Sequence, residues 1–184
     1  MKNIIFLDID GVLNDNSSDD FVLESVNVLK ELVKENDAKV VVISSWQGTG
    51  TKARRDKTTK KLSSVGIDVY DYINPNFNGE LGDVSLSSRA IGIIDYLRRN
   101  SSCNYVILDD EYHNDYKMMC LNYFRPNMWV GLREKDKDKL FFKGVNLNTL
   151  NRVTYRYREL GDYEKSVNNL VGVLKKVLEK KKKE

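Results

Sequence analysis

An apolar run near the N-terminus ends in two carboxylates, and this pattern constrains the fold more than any other stretch of the chain. Residues 4–7 are Ile, Ile, Phe and Leu, which predicts a strand buried on both faces of a sheet. Asp8 and Asp10 follow it, one residue apart, and Gly11 then allows a sharp turn. In open α/β sheets, ligands bind beyond the carboxyl ends of the strands. We therefore expect Asp8 and Asp10 to lie in a binding crevice.

The spacing of the two aspartates favours a division of chemical roles. Side chains alternate along a strand, so Asp8 and Asp10 start on the same side. Asp8 can attack a phosphorus atom as a nucleophile, while Asp10 can give a proton to the leaving oxygen and later take one from water. Two carboxylates this close repel each other, and a divalent cation would relieve the repulsion. The alternative is an Asp pair that only caps a turn, because Asp-x-Asp-Gly is a short motif.

Strand-like and helix-like segments alternate along the chain, which predicts an α/β fold: a doubly wound, Rossmann-like sheet of five parallel strands. Short runs rich in β-branched residues indicate the strands, and apolar stripes at helical spacing indicate the helices. The charge alternation of residues 133–139 predicts an exposed loop. The predicted strands are residues 4–7, 39–43, 67–73, 105–108 and 128–130, and the predicted helices are residues 21–36, part of 48–64, 85–100, 115–123, 147–160 and 163–180.

A second predicted strand also ends in acid. Residues 105–108 are followed by Asp109, Asp110 and Glu111. Because the carboxyl ends of parallel strands share one edge of a doubly wound sheet, these carboxylates and those after the first strand face the same crevice. Several carboxylates together form the hard, oxygen-rich kind of site that Mg²⁺ prefers. The sequence therefore predicts a Mg²⁺ site built from two strand ends.

Two further segments offer groups that could bind an anionic oxygen. Ser44 and Ser45 end the predicted second strand next to a helix start, where hydroxyl and backbone N–H groups can bind an anion, although a simple helix cap is the alternative. Arg89 lies in the first turn of a predicted helix, the end that the helix dipole makes unfavourable for a cation. It is also the one basic residue between Lys61 and Arg98. The alternative for Arg89 is an ordinary surface arginine.

Four motifs, taken in order, resemble those of the haloacid dehalogenase-like (HAD) phosphohydrolase superfamily. The resemblance spans residues 6–110. Its first and last motifs are specific, and the two between them gain weight from their position. The motifs are Phe6-Leu-Asp8-Ile-Asp10-Gly-Val-Leu13, Val41-Val-Ile-Ser44-Ser45, the lone Arg89 before the fourth strand, and Val106-Ile-Leu-Asp109-Asp110.

The resemblance implies a role for each matched residue. Asp8 becomes a transient aspartyl phosphate, and Asp10 is the general acid and base that also offers its backbone carbonyl to Mg²⁺. Arg89 and the serines hold the phosphoryl oxygens, and the second acidic strand end completes the metal site, directly or through water. The predicted site is therefore Asp8 and Asp10 for catalysis, Ser44, Ser45 and Arg89 for substrate binding, and Asp8, Asp10, Asp109 and Asp110 for the metal.

More narrowly, the chain is similar to a small HAD group that includes domains of RNA-repair proteins and relatives of polynucleotide 3′-phosphatases. The segments that carry this similarity are Leu7 to Asn14, Ile43-Ser-Ser-Trp46 and Ile107-Leu-Asp-Asp-Glu111. Two positions depart from that group. Gln47 stands where relatives usually carry Arg, and Arg133 stands where Thr is common. These departures bear on the substrate more than on the chemistry.

The lengths of two loops bear on the size of the substrate. HAD enzymes that enclose small metabolites insert a cap domain after the first motif or after the third strand, and here residues 11–21 and 74–88 are too short for one. We expect minimal or no cap and a site open to a phosphate on a large molecule, such as a nucleic-acid end, with a nucleotidase or a small-metabolite phosphatase as the alternative. The basic residues between 52 and 61 fit a polyanion, with a solvated helix face as the alternative.

Length and composition predict one cytoplasmic domain. The 184 residues fit a single HAD-like domain, with a core at residues 1–132 and a C-terminal helical extension at 133–184. No apolar run approaches the roughly 20 residues of a membrane span, and the N-terminus lacks a signal-peptide pattern. Cys103 and Cys120 show neither metal-site spacing nor a disulfide framework. The net charge of +3 owes much to the terminal lysines, and we expect neither membrane nor obligate protein partners.

A non-catalytic module that binds phosphate or a partner through a HAD fold is the competing interpretation. Loss of Asp8 or Asp10 would favour it, and both are present. We therefore expect a Mg²⁺-dependent phosphomonoesterase that acts on an accessible phosphate.

Overall fold

The fold is a parallel sheet flanked by helices, as the alternating pattern predicts. A computed structural model describes residues 1–15, 17–73, 88–111, 116–117 and 121–151. Within these ranges the parallel strands are ordered β3-β2-β1-β4-β5, a Rossmann-like arrangement. The strands are β1 Lys2–Leu7, β2 Ala38–Val42, β3 Val69–Tyr72, β4 Cys103–Leu108, β5 Tyr123–Phe124 and β6 Lys143–Gly144; the helices are α1 Leu23–Glu35, α2 Lys52–Ser64 and α3 Ser88–Arg99, with 3₁₀ helices at Ser45–Gln47 and Glu134–Lys139.

The register of the central strands makes their carboxyl ends flush. Leu7, the last residue of β1, pairs with Val42 of β2 on one side and with Leu108 of β4 on the other. One more backbone hydrogen bond extends each pairing, from Asp8 N to Leu108 O and from Ile43 N to Leu7 O, both 2.9 Å. The residues that follow these three strands therefore emerge side by side at one edge of the sheet.

Side chains of β1 alternate between the two faces of the sheet, and each face supports its own apolar layer. Ile4 and Phe6 pack with the buried side of α3, and Ile5 and Leu7 pack with α1 and with Leu62 of α2. Both layers are filled mainly by branched aliphatic residues, which explains why β1 is apolar at every position from Ile4 to Leu7. The α3 layer includes Ile91, Ile94, Leu97 and Tyr105, and the α1 layer includes Val26, Leu29, Leu32 and Val40.

The fifth parallel strand lies earlier in the chain than the sequence predicts. We predicted it at 128–130, and the structure places it at Tyr123–Phe124, parallel to β4. Residues 127–131 instead form a turn, in which Asn127 O accepts from Gly131 N at 2.9 Å and Asn127 Oδ1 accepts from Trp129 N at 3.0 Å. Asn127 and Gly131 close this turn, and Trp129 within it is 68% exposed. The apolar residues of this segment therefore do not form a buried strand.

Residues after position 132 contribute to the sheet. β6 pairs antiparallel with the start of β4, so the described sheet has six strands, five of them parallel. Residues 134–139, predicted to be an exposed loop, form a 3₁₀ helix whose first turn is fixed by Arg133 N donating to Asp136 Oδ2 at 3.2 Å. Leu140 and Phe142, which have no place in the predicted fold, pack against the α1 layer.

Other predicted helices fall partly beyond the described ranges. Residues 147–151 begin the helix predicted at 147–160, while its remainder and the helix predicted at 163–180 lie outside the described residues. Of the helix predicted at 115–123, residues 116–117 are helical and residues 123–124 belong to β5. The division into a core and a C-terminal extension stays a prediction. No helix within the described ranges is both long and apolar enough to cross a membrane.

Truncation of Leu29 tests the α1 layer. Leu29 is fully buried on α1, so Leu29→Ala should lower the free energy of unfolding by about 2–5 kcal/mol through lost burial and a residual cavity. Leu23→Ala in the same helix is the matched control, because Leu23 is 73% exposed and should change stability by no more than about 0.5 kcal/mol. Urea unfolding followed by circular dichroism measures both, and equal losses would contradict this packing.

Candidate active site

Three buried carboxyl groups meet at the flush strand ends. Asp8 follows β1, and Asp109 and Asp110 follow β4. One carboxylate oxygen from each lies within 4.8 Å of the others. All three residues are buried, Asp109 completely. The register of β1 against β4 thus brings together residues that are about a hundred positions apart in the chain.

Arg89 is the cation that reaches this cluster. Its Nη1 lies 2.7 Å from Asp8 Oδ2 and 2.8 Å from Asp109 Oδ2, and a longer ion pair of 3.7 Å reaches Glu111. The Arg89 side chain is only 15% exposed, so it is not the surface arginine of the alternative interpretation. Its unfavourable position in the first turn of α3 is compensated by two buried carboxylates.

Burial controls the protonation of Asp8. The pKa of Asp8 is raised to about 7, mainly by desolvation and also by the charge of Asp109, against the opposing effect of Arg89. Hydrogen bonds from Ile9 N, at 2.8 Å, and from Ser44 act in the lowering direction. For Arg89, burial alone would lower the pKa, but the carboxylates of Asp8 and Asp109 outweigh it and raise the pKa above its usual value. One guanidinium therefore balances only part of the cluster's negative charge.

Asp109 is held by a residue that the sequence did not single out. The hydroxyl of Tyr116 donates to Asp109 Oδ2 at 2.8 Å, and Glu111 N donates to Asp109 Oδ1 at 3.0 Å. Tyr116 is fully buried, and burial together with the charge of Asp109 raises its pKa, so it remains a protonated donor. A tyrosine seven residues after an acidic strand end, inside a predicted helix, carries no sequence signal that separates it from a core aromatic.

The carboxylate of Asp10 is held apart from the cluster. Trp46 Nε1 donates to both of its oxygens at 2.9 Å, and Asn14 Nδ2 donates to Asp10 Oδ1 at 2.9 Å. Asn14 in turn accepts from Gly11 N at 2.8 Å, which closes the turn. Trp46 and Asn14 both lie in the motif segments, but sequence reasoning gave them no function. The side chain of Asp10 is not in the three-carboxylate cluster. Metal binding by Asp10, through its backbone carbonyl, stays a prediction.

The two serines differ in their surroundings. Ser44 is buried, its hydroxyl accepts from Trp46 N at 3.3 Å as a helix cap, and its side chain lowers the pKa of Asp8. Ser45 is exposed and lines a cavity of about 370 Å³ together with Ser44, Gln47 and Arg89. Gln47 is buried, and its Oε1 accepts no hydrogen bond in the part of the chain that the structure describes. The structure therefore brings the three predicted substrate-binding residues to one cavity beside Asp8.

Gly11 is required by the approach of Asp110. Its φ of +64° lies in the left-handed region, and a Cβ at this position would lie 2.2 Å from Asp110 Oδ2. Asp110 is also fixed through its backbone, because its carbonyl accepts from Arg125 Nε at 2.6 Å. The glycine of the first motif thus serves both the turn and the packing of the second acidic strand end against it.

A second glycine, Gly131, packs against the backbone of the loop that follows β1. Leu132 N donates to Val12 O at 2.9 Å, and Gly131 adopts a φ of +69°. A Cβ on Gly131 would lie 2.6 Å from Ser25 Oγ and 2.8 Å from Val12 O. The Gly-Leu pair therefore fixes the loop that carries Asp10 and Asn14 by direct backbone contact.

The sheet order and the acidic strand ends define a HAD-type phosphohydrolase. A family model described as the HAD domain in Swiss Army Knife RNA repair proteins matches residues 4–137. The chain belongs to this family. The predicted resemblance is therefore confirmed, and the match extends past residue 110 to include Gly131, Leu132 and the first four residues of the 3₁₀ helix Glu134–Lys139.

Comparison with solved structures gives a similar architecture at low identity. The crystal structure of D,D-heptose 1.7-bisphosphate phosphatase from B. bronchiseptica, complexed with magnesium and phosphate, is 16% identical to this chain, with a TM-score of 0.47. The match covers 86% of this chain and 99% of that chain. No curated protein sequence matches the chain.

Substitution of Gly11 tests the packing of the two strand ends. Gly11→Ala should lower the free energy of unfolding by at least about 1–2 kcal/mol, because alanine is strained in the left-handed region and its methyl group would displace Asp110. Urea unfolding measures the loss. Gly144→Ala is the control, since the nearest atom to a Cβ there lies at 3.5 Å, an ordinary contact. A Gly11→Ala protein as stable as the control would contradict the close approach.

Proposed function

We propose that the protein is a Mg²⁺-dependent phosphomonoesterase that uses Asp8 as a nucleophile and Asp10 as a general acid and base. One observation carries the proposal. The two carboxylates of Asp8 and Asp10, which are separated by one residue, have different hydrogen-bond partners, and these suit a nucleophile and a proton carrier. Asp8 is buried against Arg89. Asp10 is held by the neutral donors Trp46 and Asn14. When two nearby carboxylates have different surroundings, one can act as a nucleophile and the other as a proton carrier in the same site.

The reaction divides into two steps. In the first, an oxygen of Asp8 forms a bond to phosphorus, the bond from phosphorus to the leaving oxygen breaks, and Asp10 gives that oxygen a proton. In the second, water attacks the aspartyl phosphate, Asp10 takes a proton from the water, and Asp8 is released with inorganic phosphate. Arg89 contacts Asp8 directly, and Ser44 lines the same cavity as Arg89, so both would hold the phosphoryl oxygens.

The carboxylate cluster fits a magnesium ion. Its three donors are hard oxygens within 4.8 Å of one another, and one guanidinium faces three acidic residues. Asp8, Asp109 and Asp110 would hold the ion, with the backbone carbonyl of Asp10. A bound Mg²⁺ supplies a positive charge that stabilises the charge on the transferring phosphoryl group. Tyr116 and Glu111 N orient Asp109 for this role, as partners behind a metal ligand do.

The substrate we propose carries an accessible phosphate, on a nucleotide or a nucleic-acid end. Residues 8–22, which join β1 to α1, are too few for a cap domain at the first of the two usual insertion points. The second insertion point, residues 74–88, lies almost wholly outside the described residues. The family takes its description from RNA repair proteins, which favours a nucleic-acid phosphate.

Replacement of Asp8 tests the nucleophile and the metal together. Asp8→Asn should lower kcat on the order of 10⁴-fold or more, because the amide cannot form the phosphoryl bond. Inorganic phosphate release from an aryl phosphate, mononucleotides and a 3′-phosphorylated oligonucleotide measures this, with and without Mg²⁺ and with excess chelator. Circular dichroism checks that the variant folds. Turnover by the folded variant would remove the nucleophile assignment, and turnover in excess chelator would remove the metal.

The role of Asp10 predicts a dependence on the leaving group. Asp10→Asn should lower kcat/KM for an alkyl phosphate by roughly 10²–10⁴-fold, since an alkoxide needs a proton to leave. The loss should be smaller for an aryl phosphate whose phenolate leaves unaided. Asp20→Asn, an exposed aspartate of the same loop, makes the same charge change and serves as the control. Equal losses for both substrates would show that Asp10 does not protonate the leaving oxygen.

A further inference from the structure

A second cavity beside Asp10 is lined by three basic residues and by the acidic Asp19. Its volume is about 350 Å³, within the lower part of the range of small-molecule sites. Asp10, Ser45 and Trp46 form the wall shared with the active site. Arg54, Lys57 and Lys61 line it from α2, a spacing of three and four residues that places them on one face of the helix.

Two of these cations have no anionic partner among the residues that the structure describes. Neither Arg54 nor Lys57 forms an ion pair with any residue in the described parts of the chain. Lys61 donates to the backbone carbonyl of Asp19 at 2.5 Å and lies 4.6 Å from the centre of the Trp46 ring. By contrast, Lys137 on another surface contacts Glu31 and Glu35.

The position of Asp10 identifies which part of a substrate would occupy this cavity. In the proposed reaction Asp10 gives a proton to the leaving oxygen, so the leaving group must lie against its carboxylate. The 370 Å³ cavity with Arg89 lies on the phosphoryl side, and Ser45 lines both cavities. The cationic cavity is therefore on the path of the leaving group.

We infer that this cavity, lined by Arg54, Lys57 and Lys61, is a subsite for a second phosphate carried by the leaving group. The inference rests on the proposed function and names its substrate class: a phosphomonoester whose leaving group is itself phosphorylated. A nucleoside bisphosphate and the terminal phosphodiester of an oligonucleotide share this chemistry. The cations would bind the second phosphate, while Arg89 and Ser44 hold the phosphate that is transferred.

A comparison of matched substrates tests the subsite. The substrates are a nucleoside 3′-monophosphate, the corresponding 3′,5′-bisphosphate and a short 3′-phosphorylated oligonucleotide, with release of the 3′-phosphate followed by chromatography of the products. The wild-type ratio of kcat/KM, bisphosphate over monophosphate, should exceed roughly tenfold for two exposed charge contacts. A preference for the oligonucleotide over the bisphosphate would assign the subsite to a nucleic-acid chain, and the reverse would assign it to a free nucleotide. Equal values for the monophosphate and both other substrates would overturn the inference.

Paired variants separate a local subsite from net charge. Arg54→Gln with Lys57→Gln should reduce the wild-type preference for the second phosphate roughly tenfold. Lys52→Gln with Lys60→Gln removes the same charge from the same helix at exposed residues outside the cavity lining, and should retain the preference. Equal reductions in both pairs would overturn the subsite, because they would show a general effect of charge.

Binding gives a readout that does not need turnover. In the Asp8→Asn background, fluorescence anisotropy of a labelled 3′-phosphorylated oligonucleotide should show weaker binding and a shallower salt dependence for the Arg54 and Lys57 pair than for the control pair. If the wild type releases no phosphate even from the aryl phosphate, the proposed function fails, and this measurement decides the subsite alone. Identical affinities and salt slopes in the two pairs would overturn it.

Discussion

The site depends on the placement of three carboxyl groups in a dry interior beside a single guanidinium. Asp8 and Asp109 each lie within 2.8 Å of Arg89 Nη1, and burial opposes the charge on each of these groups. The arrangement is maintained because a separate part of the fold holds each of these groups in position. Strand pairing fixes Asp8 and Asp109, Gly11 admits Asp110, and α3 carries Arg89. The remaining negative charge is what makes a divalent cation a fitting occupant.

Two environments at one strand end produce the chemical asymmetry between Asp8 and Asp10. Asp8 leaves β1 into the buried crevice, where its pKa is raised to about 7 mainly by desolvation. Asp10 comes after the chain has begun to turn, and neutral donors from Trp46 and Asn14 fix its carboxylate. Trp46 reaches Asp10 because β2 ends level with β1, so the same register that gathers the cluster also positions the carboxylate of Asp10.

The sequence predicted the parts of this structure in which burial alone determines whether a residue is apolar or polar. β1, β2 and β4 are apolar at nearly every position because both faces are covered, and the acids that end β1 and β4 stand out against that background. Tyr116 and Trp46 could not be found this way, since an aromatic residue that donates one hydrogen bond resembles a core residue in sequence. The sequence placed the fifth strand wrongly because this strand has only two residues, and the apolar residues next to it belong to a turn closed by Asn127.

The cations around the site act in different dielectric surroundings, and this difference separates their functions. Arg89 is mostly buried, so its interactions with carboxylates or phosphoryl oxygens are strong, fixed in direction and little affected by salt. Arg54 and Lys57 are exposed on α2, where water and ions weaken each contact. Exposed cations of one sign beside a crevice still raise the local concentration of an anionic ligand and orient its approach. In the function we propose, Arg89 inside the crevice would position the reacting phosphate, and the exposed Arg54 and Lys57 would bind the rest of the substrate.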